Sequence, residues 1–212
     1  MGSRLFLLDL YPELATVPSA FRSLNTPINV RTRALDVGAG IGRVTADVLL
    51  HLVTDVVLVE PVLAFIQECL SRARASVLDT SGTLRVSWPG LADQSKSVTV
   101  LQDTLQLFHP LCPHHSTFHD RIGYQPPSST DDVEKGFDVI WCQWCLGYLT
   151  NPDLVAFLKR CHAALNAHPR SLIVVKENVC CDASDQSAQE MFDEQDSSLI
   201  RFVEISISVK AI

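Results

Sequence analysis

A glycine-rich segment, LDVGAGIGR at residues 35–43, limits the folds open to this chain more than any other feature. Its first residues end the short apolar run of residues 31–37. Its last residues begin the stretch at residues 41–53, where apolar side chains recur at helical spacing. Gly38, Gly40 and Gly42 permit positive φ angles and a close approach of other groups to the backbone. A strand, a glycine turn and a helix in this order predict an α/β unit with a ligand at the carboxyl end of the strand.

Apolar runs alternate with stretches of helical periodicity along the rest of the chain. Buried strands are predicted at residues 31–37, 55–60, 97–102, 137–144 and 171–178. Helices are predicted at residues 41–53, 62–77 and 151–166, the last with Asn151 as its N-cap and Pro152 at its first position. Because helices of this length between strands require crossover connections, we predict an α/β fold with a doubly wound, mainly parallel sheet of the Rossmann-like kind.

Two regions outside this alternation set the expected domain boundaries. Residues 1–30 are predicted to form an N-terminal helical segment, with residues 11–24 interrupted at Pro18, and residues 31–212 the main domain. Residues 103–136 carry proline, histidine, serine and aspartate without periodicity, which predicts a long surface loop or insertion. Residues 202–212 alternate in hydropathy and suit either a strand or an irregular helix end.

Composition narrows the classes of partner. The 212 residues are 47% hydrophobic and 19% charged, as expected of a globular domain. A net charge of -7 argues against a nucleic-acid partner and suits a basic small molecule or peptide. No apolar run reaches the roughly 18 residues of a membrane span, and we find no secretory signal, so we expect no membrane partner. The seven cysteines are then expected to be reduced thiols, in the cytoplasm or in the nucleus.

The glycine spacing favours one kind of cofactor over another. A dinucleotide site is expected to show G-x-G-x-x-G, whereas this chain has G-x-G-x-G with Asp36 two residues ahead. The pattern resembles motif I of class I S-adenosylmethionine (SAM) methyltransferases. An acid beside the turn suits the cationic methionine end of SAM, and Glu60, after the second strand, has two oxygens for the two ribose hydroxyls. A tight turn without any ligand is the alternative.

Four blocks of sequence carry a more specific resemblance. They are ALDVGAGIGRVT, TLQLFHP, IWCQWCLGYLT, and VVKEN followed by DEQDSSLIR, and together they extend over residues 34–201. In this order they resemble the alpha-N-terminal protein methyltransferases, which methylate the α-amino group of proteins beginning X-Pro-Lys. The resemblance implies S-adenosyl-L-methionine as cofactor and such proteins as substrates.

The resemblance also implies roles for individual residues around the cofactor. Gly38 and Arg43 would line the methionine moiety, Glu60 would bind the ribose, and Gln143 would contact the cofactor after the fourth strand. Leu105 and Gln106 would flank the adenine, with Leu101 and Gln102 as a competing alignment. The cofactor-binding set is therefore predicted to be Asp36, Gly38, Gly40, Gly42, Arg43, Glu60, Leu105, Gln106 and Gln143.

A second set is implied for the substrate. Trp144 would shape a channel in which its ring packs on a proline, and Asn178 would bind the substrate N-terminus. Asp193, Asp196 and Ser198 would form an acidic mouth for the substrate lysine. Asp196 would also accept the proton of the α-amine, whose pKa near 8 makes this transfer easy for a carboxylate.

Other roles suit the same residues when each is taken alone. Trp144 suits a core position at a strand end, Glu60 a solvated carboxylate, and Asn178 a turn. Asp193 and Asp196, three residues apart, suit a cap at a helix N-terminus.

The chain departs from the family pattern in three places. Tyr148 stands where the family usually has a histidine that assists proton removal, and a tyrosine is a poor base near neutral pH, so catalysis would depend more on Asp196. The opening MGSRLFLL looks like the residues that follow the family's upstream lid. The chain also ends at Ile212, before the final pair of strands, so these C-terminal strands are expected to be missing and an edge of the sheet exposed.

These departures leave two alternatives beside the N-terminal methyltransferase. One is an inactive SAM-binding or interaction remnant of the family, and the other is a methyltransferase of small-molecule amines. CQWC at residues 142–145 has redox or zinc spacing but lacks a second cysteine pair or a helix N-terminus beside it. The histidines of residues 109–119 match no structural zinc pattern. We therefore predict no metal.

Overall fold

The computed structural model describes residues 2–15, 31–79, 88–127, 135–168, 170–178, 190–193 and 198–201. The helices are α1 (Ser3–Leu10), α2 (Arg43–Asp47), α3 (Leu63–Leu78) and α4 (Asn151–Ala163). The strands are β1 (Arg33–Val37), β2 (Asp55–Val59), β3 (Ser97–Gln102), β4 (Thr117–Gly123), β5 (Val139–Gln143), β6 (Leu172–Lys176), β7 (Glu190–Asp193) and β8 (Ser198–Arg201). Short 3-10 helices occupy Pro12–Leu14, Leu49–His51, Pro113–His115 and Leu146–Tyr148.

Six strands form one sheet in the order β4-β3-β2-β1-β5-β6. All neighbours pair in parallel except β3 and β4, which are antiparallel. The strand order changes direction at β1, between β2 and β5, and this is where an open α/β sheet offers a crevice at the carboxyl ends of its strands. The prediction of a doubly wound, mainly parallel sheet is confirmed.

Both faces of the sheet are covered, which explains the continuous apolar runs of the central strands. Every residue of β1 and β2 is buried. One core cluster contains Leu7 of α1 and Ile66 of α3, and the other contains Phe108 and Phe157. Helices and loops on both sides therefore hold the carboxyl ends of the strands in fixed positions.

Three local predictions are corrected. The helix expected at residues 41–53 is the five-residue α2 followed by a 3-10 turn, in which Leu49 and Leu50 still face the core. The loop expected at residues 103–136 contains β4, whose polar sequence TFHDRIG has only Ile122 buried and so lacks the alternation of a strand. The N-cap of α4 is Thr150, one residue before the predicted Asn151, and its side chain accepts a hydrogen bond from the N–H of Asp153.

The two ends of the chain are described only in part. The N-terminal helical segment contains α1 and the turn at Pro12–Leu14, whereas residues 16–30, including the predicted break at Pro18, lie outside the described residues. The alternating residues 202–212 also lie outside them. Within the described parts, no helix is long and apolar enough to cross a membrane.

Candidate active site

The three glycines after β1 all adopt left-handed backbone conformations, with φ of +61° at Gly38, +56° at Gly40 and +79° at Gly42. A Cβ atom at Gly38 would lie 2.4 Å from the Cβ of Cys145, and one at Gly42 would lie 2.4 Å from the ring of Trp88. A Cβ at Gly40 would meet nothing within 4 Å. Two of the glycines thus permit close packing, and the middle one leaves backbone open to a ligand.

A cavity of about 340 Å³ opens at this turn, a volume typical of small-molecule sites. Its lining residues come from β1, the glycine turn, α2, α3 and the end of β5: Asp36, Gly38, Ala39, Gly40, Ile41, Arg43, Val44, Phe65, Gln143 and Trp144. Of the predicted cofactor-binding set, Asp36, Gly38, Gly40, Arg43 and Gln143 are brought together here. Gly42, the last glycine of the turn, is buried and does not line the cavity.

Asp36 is the acid of this cavity. Its carboxyl group is 2% exposed and accepts a hydrogen bond of 2.6 Å from the hydroxyl of Thr45. Burial raises the pKa of Asp36 from 3.8 to about 7, against the opposing effect of the Thr45 hydrogen bonds. A bound cation would favour the ionised carboxylate, so this side chain suits a positively charged ligand.

Glu60 lies directly after β2 and is 4% exposed, so it is not a solvated strand-end carboxylate. Its Oε2 atom accepts a hydrogen bond from the N–H of Gly40 at 2.8 Å, and its Oε1 atom accepts one from the N–H of Val62 at 2.9 Å. Glu60 therefore connects the glycine turn to the start of α3, and it is not among the residues that line the cavity. Its role toward a ribose stays a prediction.

The two residues predicted to flank the adenine do not line this cavity. Leu105 is buried in the core, whereas Gln106 is exposed. Their carbonyl groups accept hydrogen bonds from Nη2 of Arg160 on α4, at 2.8 Å and 3.1 Å. In the competing alignment, Gln102 donates a hydrogen bond to the carbonyl of Pro61 at 3.0 Å, which places it near the end of β2. The geometry does not choose between the two pairs.

A second, smaller cavity of about 60 Å³ shares Trp144 with the first as a lining residue. Its lining residues are Trp144, Gly147, Tyr148, Glu177, Asn178, Asp193, Ser198, Leu199 and Ile200. All the predicted substrate and catalytic residues that the structure describes are thus brought to one place, although they come from three separate blocks of sequence. Asp196 lies outside the described residues.

Trp144 is the wall that the two cavities share. It is 51% exposed, so it is not a core residue, and its ring lies 5.4 Å from the guanidinium carbon of Arg43 and 5.8 Å from Nζ of Lys176. Its φ of +56° is uncommon for an aromatic residue. Such backbone conformations concentrate at functional sites, where surrounding contacts maintain them. Asp193 is the last residue of strand β7.

Sequence reasoning missed Glu177 and Phe65. Glu177 lines the small cavity, and its Oε1 atom accepts hydrogen bonds from the N–H groups of Cys145 and Leu146 at 2.8 Å and 2.9 Å. Its signal was present in VVKEN, as an acid near the end of the strand predicted at residues 171–178. Phe65 lines the larger cavity from α3 while 47% exposed, and its signal was an apolar residue off the buried face of an amphipathic helix.

The cysteines of CQWC are buried thiols. A hydrogen bond with Cys145 and burial raise the pKa of Cys142 well above its usual value, and burial raises the pKa of Cys161 to about 12. Thiols with raised pKa values are poor nucleophiles and poor metal ligands at neutral pH. Among the described residues, no group of histidine, cysteine and acidic side chains could hold a metal ion.

The sheet and the cavity at its switch point define a class I SAM-dependent methyltransferase fold. A SAM-dependent methyltransferase from Leishmania major has a similar structure, with a TM-score of 0.50 and 27% sequence identity. The match covers 84% of this chain and 52% of that chain.

The family itself follows from the sequence comparisons. The model of the AdoMet-dependent proline di-methyltransferases matches residues 16–110 and 120–209, and the chain belongs to this family. "N-terminal Xaa-Pro-Lys N-methyltransferase 1" of Danio rerio is 36% identical over 79% of this chain, and "Alpha N-terminal protein methyltransferase 1" of Schizosaccharomyces pombe is 34% identical over 79%. Both matches cover 54% of the relative, so the chain spans about half the length of these curated relatives.

Proposed function

We propose that this chain is a SAM-dependent methyltransferase that transfers methyl groups to the α-amino group of proteins with an X-Pro-Lys N-terminus. The observation that carries the proposal is the position of Trp144 between two cavities. One has the glycine turn and a buried acid, and the other has Asn178, Asp193 and Ser198. Methyl transfer requires a methyl donor and an acceptor amine held close together and in line, and the two cavities supply a site for each.

The residues of the larger cavity fit SAM. Asp36 offers a buried carboxyl group to the ammonium and sulfonium charges, Arg43 offers a guanidinium to the carboxylate, and Gly40 leaves its backbone open. Gln143 offers an amide at the end of β5. SAM, when bound, supplies an electrophilic methyl group.

The residues of the smaller cavity suit a peptide N-terminus. The exposed ring of Trp144 offers an apolar face to a proline, and the amide of Asn178 can bind the α-amine. The carboxylate of Asp193 offers a counter-charge for the lysine. Asp196 is proposed as the acceptor of the amine proton, since a tyrosine such as Tyr148 is a poor base near neutral pH.

The first test is calorimetric titration of the purified chain with S-adenosylhomocysteine, the product left after methyl transfer. We expect micromolar binding that is lost in Arg43→Glu, while Arg72→Glu, on the exposed side of α3, retains it. A folded sample that does not bind would contradict the proposal and favour the inactive remnant.

The second test separates peptide substrates from small amines. A hexapeptide beginning Ser-Pro-Lys is compared with its Ser-Pro-Gln analogue in a methyl-transfer assay. We expect methylation of the first and at least about tenfold lower kcat/KM for the second, because a charged partner contributes over 1 kcal/mol. Equal rates, or methylation of free amines alone, would favour the small-molecule alternative. The cytoplasm or nucleus remains the proposed location.

A further inference from the structure

The turn that follows β5 presents two backbone donors to one point. Trp144 has a φ of +56°, and Cys145 follows with φ -130° and ψ -18°. Successive N–H groups in a turn can point to the same side of the chain, and such concavities bind anions. In this protein the N–H groups of Cys145 and Leu146 converge in this way.

The anion at that point belongs to the chain itself. Oε1 of Glu177 accepts both hydrogen bonds, at 2.8 Å from Cys145 and 2.9 Å from Leu146. The preceding residue takes part as well, because the carbonyl of Lys176 accepts a hydrogen bond from the N–H of Trp144 at 3.1 Å. Three consecutive N–H groups of the turn are therefore bound by the end of β6.

The same turn is confined from the cofactor side. The side chain of Cys145 packs against Gly38, so closely that a Cβ atom there would lie 2.4 Å away. The packing of Cys145 opposes movement of the turn toward the glycine segment, and the hydrogen bonds to Glu177 oppose movement away from it. The backbone of Trp144 is thus fixed between the two cavities.

We propose that Glu177 is a positioning residue that maintains the left-handed conformation of Trp144, and so the orientation of the ring that lines both the cofactor and the substrate cavity. The inference rests on the proposed function, since it assigns the ring a role in presenting the peptide. An aromatic residue does not adopt this conformation without support, and hydrogen bonds to a carboxylate are stronger than those between neutral groups. Without the hydrogen bonds to Glu177, the turn relaxes and the ring of Trp144 loses its fixed orientation.

The principal test compares Glu177→Ala with the isosteric Glu177→Gln, whose amide oxygen can still accept both hydrogen bonds. Glu68→Gln, on an exposed ion pair of α3, is the matched control. We expect Glu177→Ala to raise KM for the Ser-Pro-Lys peptide about tenfold, the order expected from losing a hydrogen bond to a charged group. Glu177→Gln and the control should remain within about threefold of wild type.

Glu177→Gln still tests the positioning role if Glu177→Ala does not fold. A KM for Glu177→Gln raised about tenfold or more, while acrylamide quenching of Trp144 stays at the wild-type value, would mean that the negative charge itself acts on the substrate. That result would overturn the positioning role.

A double-mutant cycle distinguishes indirect from direct action. Trp144→Gly removes the ring and adopts the left-handed conformation without strain. If Glu177 acts through Trp144, adding Glu177→Ala to this background should change peptide KM by less than about twofold. If the full effect of Glu177→Ala persists there, Glu177 contacts the substrate directly and the proposal is wrong.

A last readout needs no methyl transfer, so it separates this inference from the proposed function. The chain has three tryptophans, and Trp88 and Trp141 are 2% and 1% exposed, so collisional quenching reports on Trp144. We expect the acrylamide quenching constant to rise by about half or more in Glu177→Ala and to be unchanged in Glu177→Gln, as local order is lost. Equal quenching in all variants would contradict the inference, even if wild type proves inactive.

Discussion

The hydroxyl group of Thr45 donates a hydrogen bond of 2.6 Å to Oδ2 of Asp36, both side chains are buried, and Asp36 lines the larger cavity. The interaction joins the last part of β1 to α2, directly beneath the open glycine turn. It provides one neutral donor to a carboxyl group that is otherwise removed from water. The charge of Asp36 therefore depends on pH in a range where proteins are usually studied.

Asp36→Asn should change the pH dependence of stability. Burial raises the pKa of Asp36 from 3.8 to about 7, so the folded state binds more protons than the unfolded state between these values. The stabilisation from the protonated carboxyl is complete below about pH 4 and is lost as pH rises through 7, by up to about 4 kcal/mol. In urea unfolding without ligand, the unfolding free energy of the asparagine variant should rise relative to that of wild type between pH 4.5 and 8. Parallel profiles for the two proteins would refute the assignment.

Gly38→Ala and Gly40→Ala should separate packing from ligand access. Alanine at position 38 would meet Cys145 at 2.4 Å as well as adopt a strained φ, so it should lower the free energy of unfolding by about 3 kcal/mol. Alanine at position 40 meets no neighbour and should cost only about 1 kcal/mol, but its methyl group enters the cavity. Urea unfolding and titration with S-adenosylhomocysteine should therefore give opposite rankings of the two variants. The same ranking in both would disprove the distinction.

Arg160→Gln should loosen the segment after β3. Its guanidinium donates hydrogen bonds to the carbonyls of Leu105, Gln106 and Phe108, which a glutamine cannot replace together. We expect a loss of about 1–3 kcal/mol in unfolding free energy, the range for hydrogen bonds to charged groups. If Leu105 and Gln106 flank the adenine, affinity for S-adenosylhomocysteine falls as well. The exposed neighbour Lys159→Gln is the control, and unchanged affinity with reduced stability would favour the alignment at Leu101 and Gln102.

Asp196→Asn should abolish most turnover and leave cofactor affinity nearly intact. The amide cannot accept the proton of the α-amine, and general-base groups typically contribute about 10² to 10⁴ in rate. Single-turnover methylation of the Ser-Pro-Lys peptide and titration with S-adenosylhomocysteine measure the two properties separately. A variant that retains its turnover would show that another group takes the proton, and Tyr148→Phe would then be the next variant to assay.

The accuracy of the sequence predictions varied with the strength of the local pattern. The five strands of the parallel sheet were placed within two residues because each is a short, mainly apolar run. Four of them are buried along almost their whole length, as strands covered on both faces are, whereas β6 has only Val174 buried. Strand β4 was missed because it lies at a sheet edge and carries polar side chains on most positions. The length of α2 was overestimated because Leu49 and Leu50 continue its apolar spacing after the helix has ended.

The sequence alone determined the type of fold, the glycine turn and the family, because each depends on residue identity at short spacing. Only the tertiary structure decided which of the proposed site residues meet. It placed Trp144 on the lining of both cavities. It also brought Glu177 into hydrogen-bonding distance of Cys145, which lies 32 positions earlier in the chain. It also showed that the carboxylate of Glu60 binds backbone N–H groups of its own neighbourhood. Such contacts depend on the parallel alignment of β1, β5 and β6, since strands distant in sequence end at one edge of the sheet.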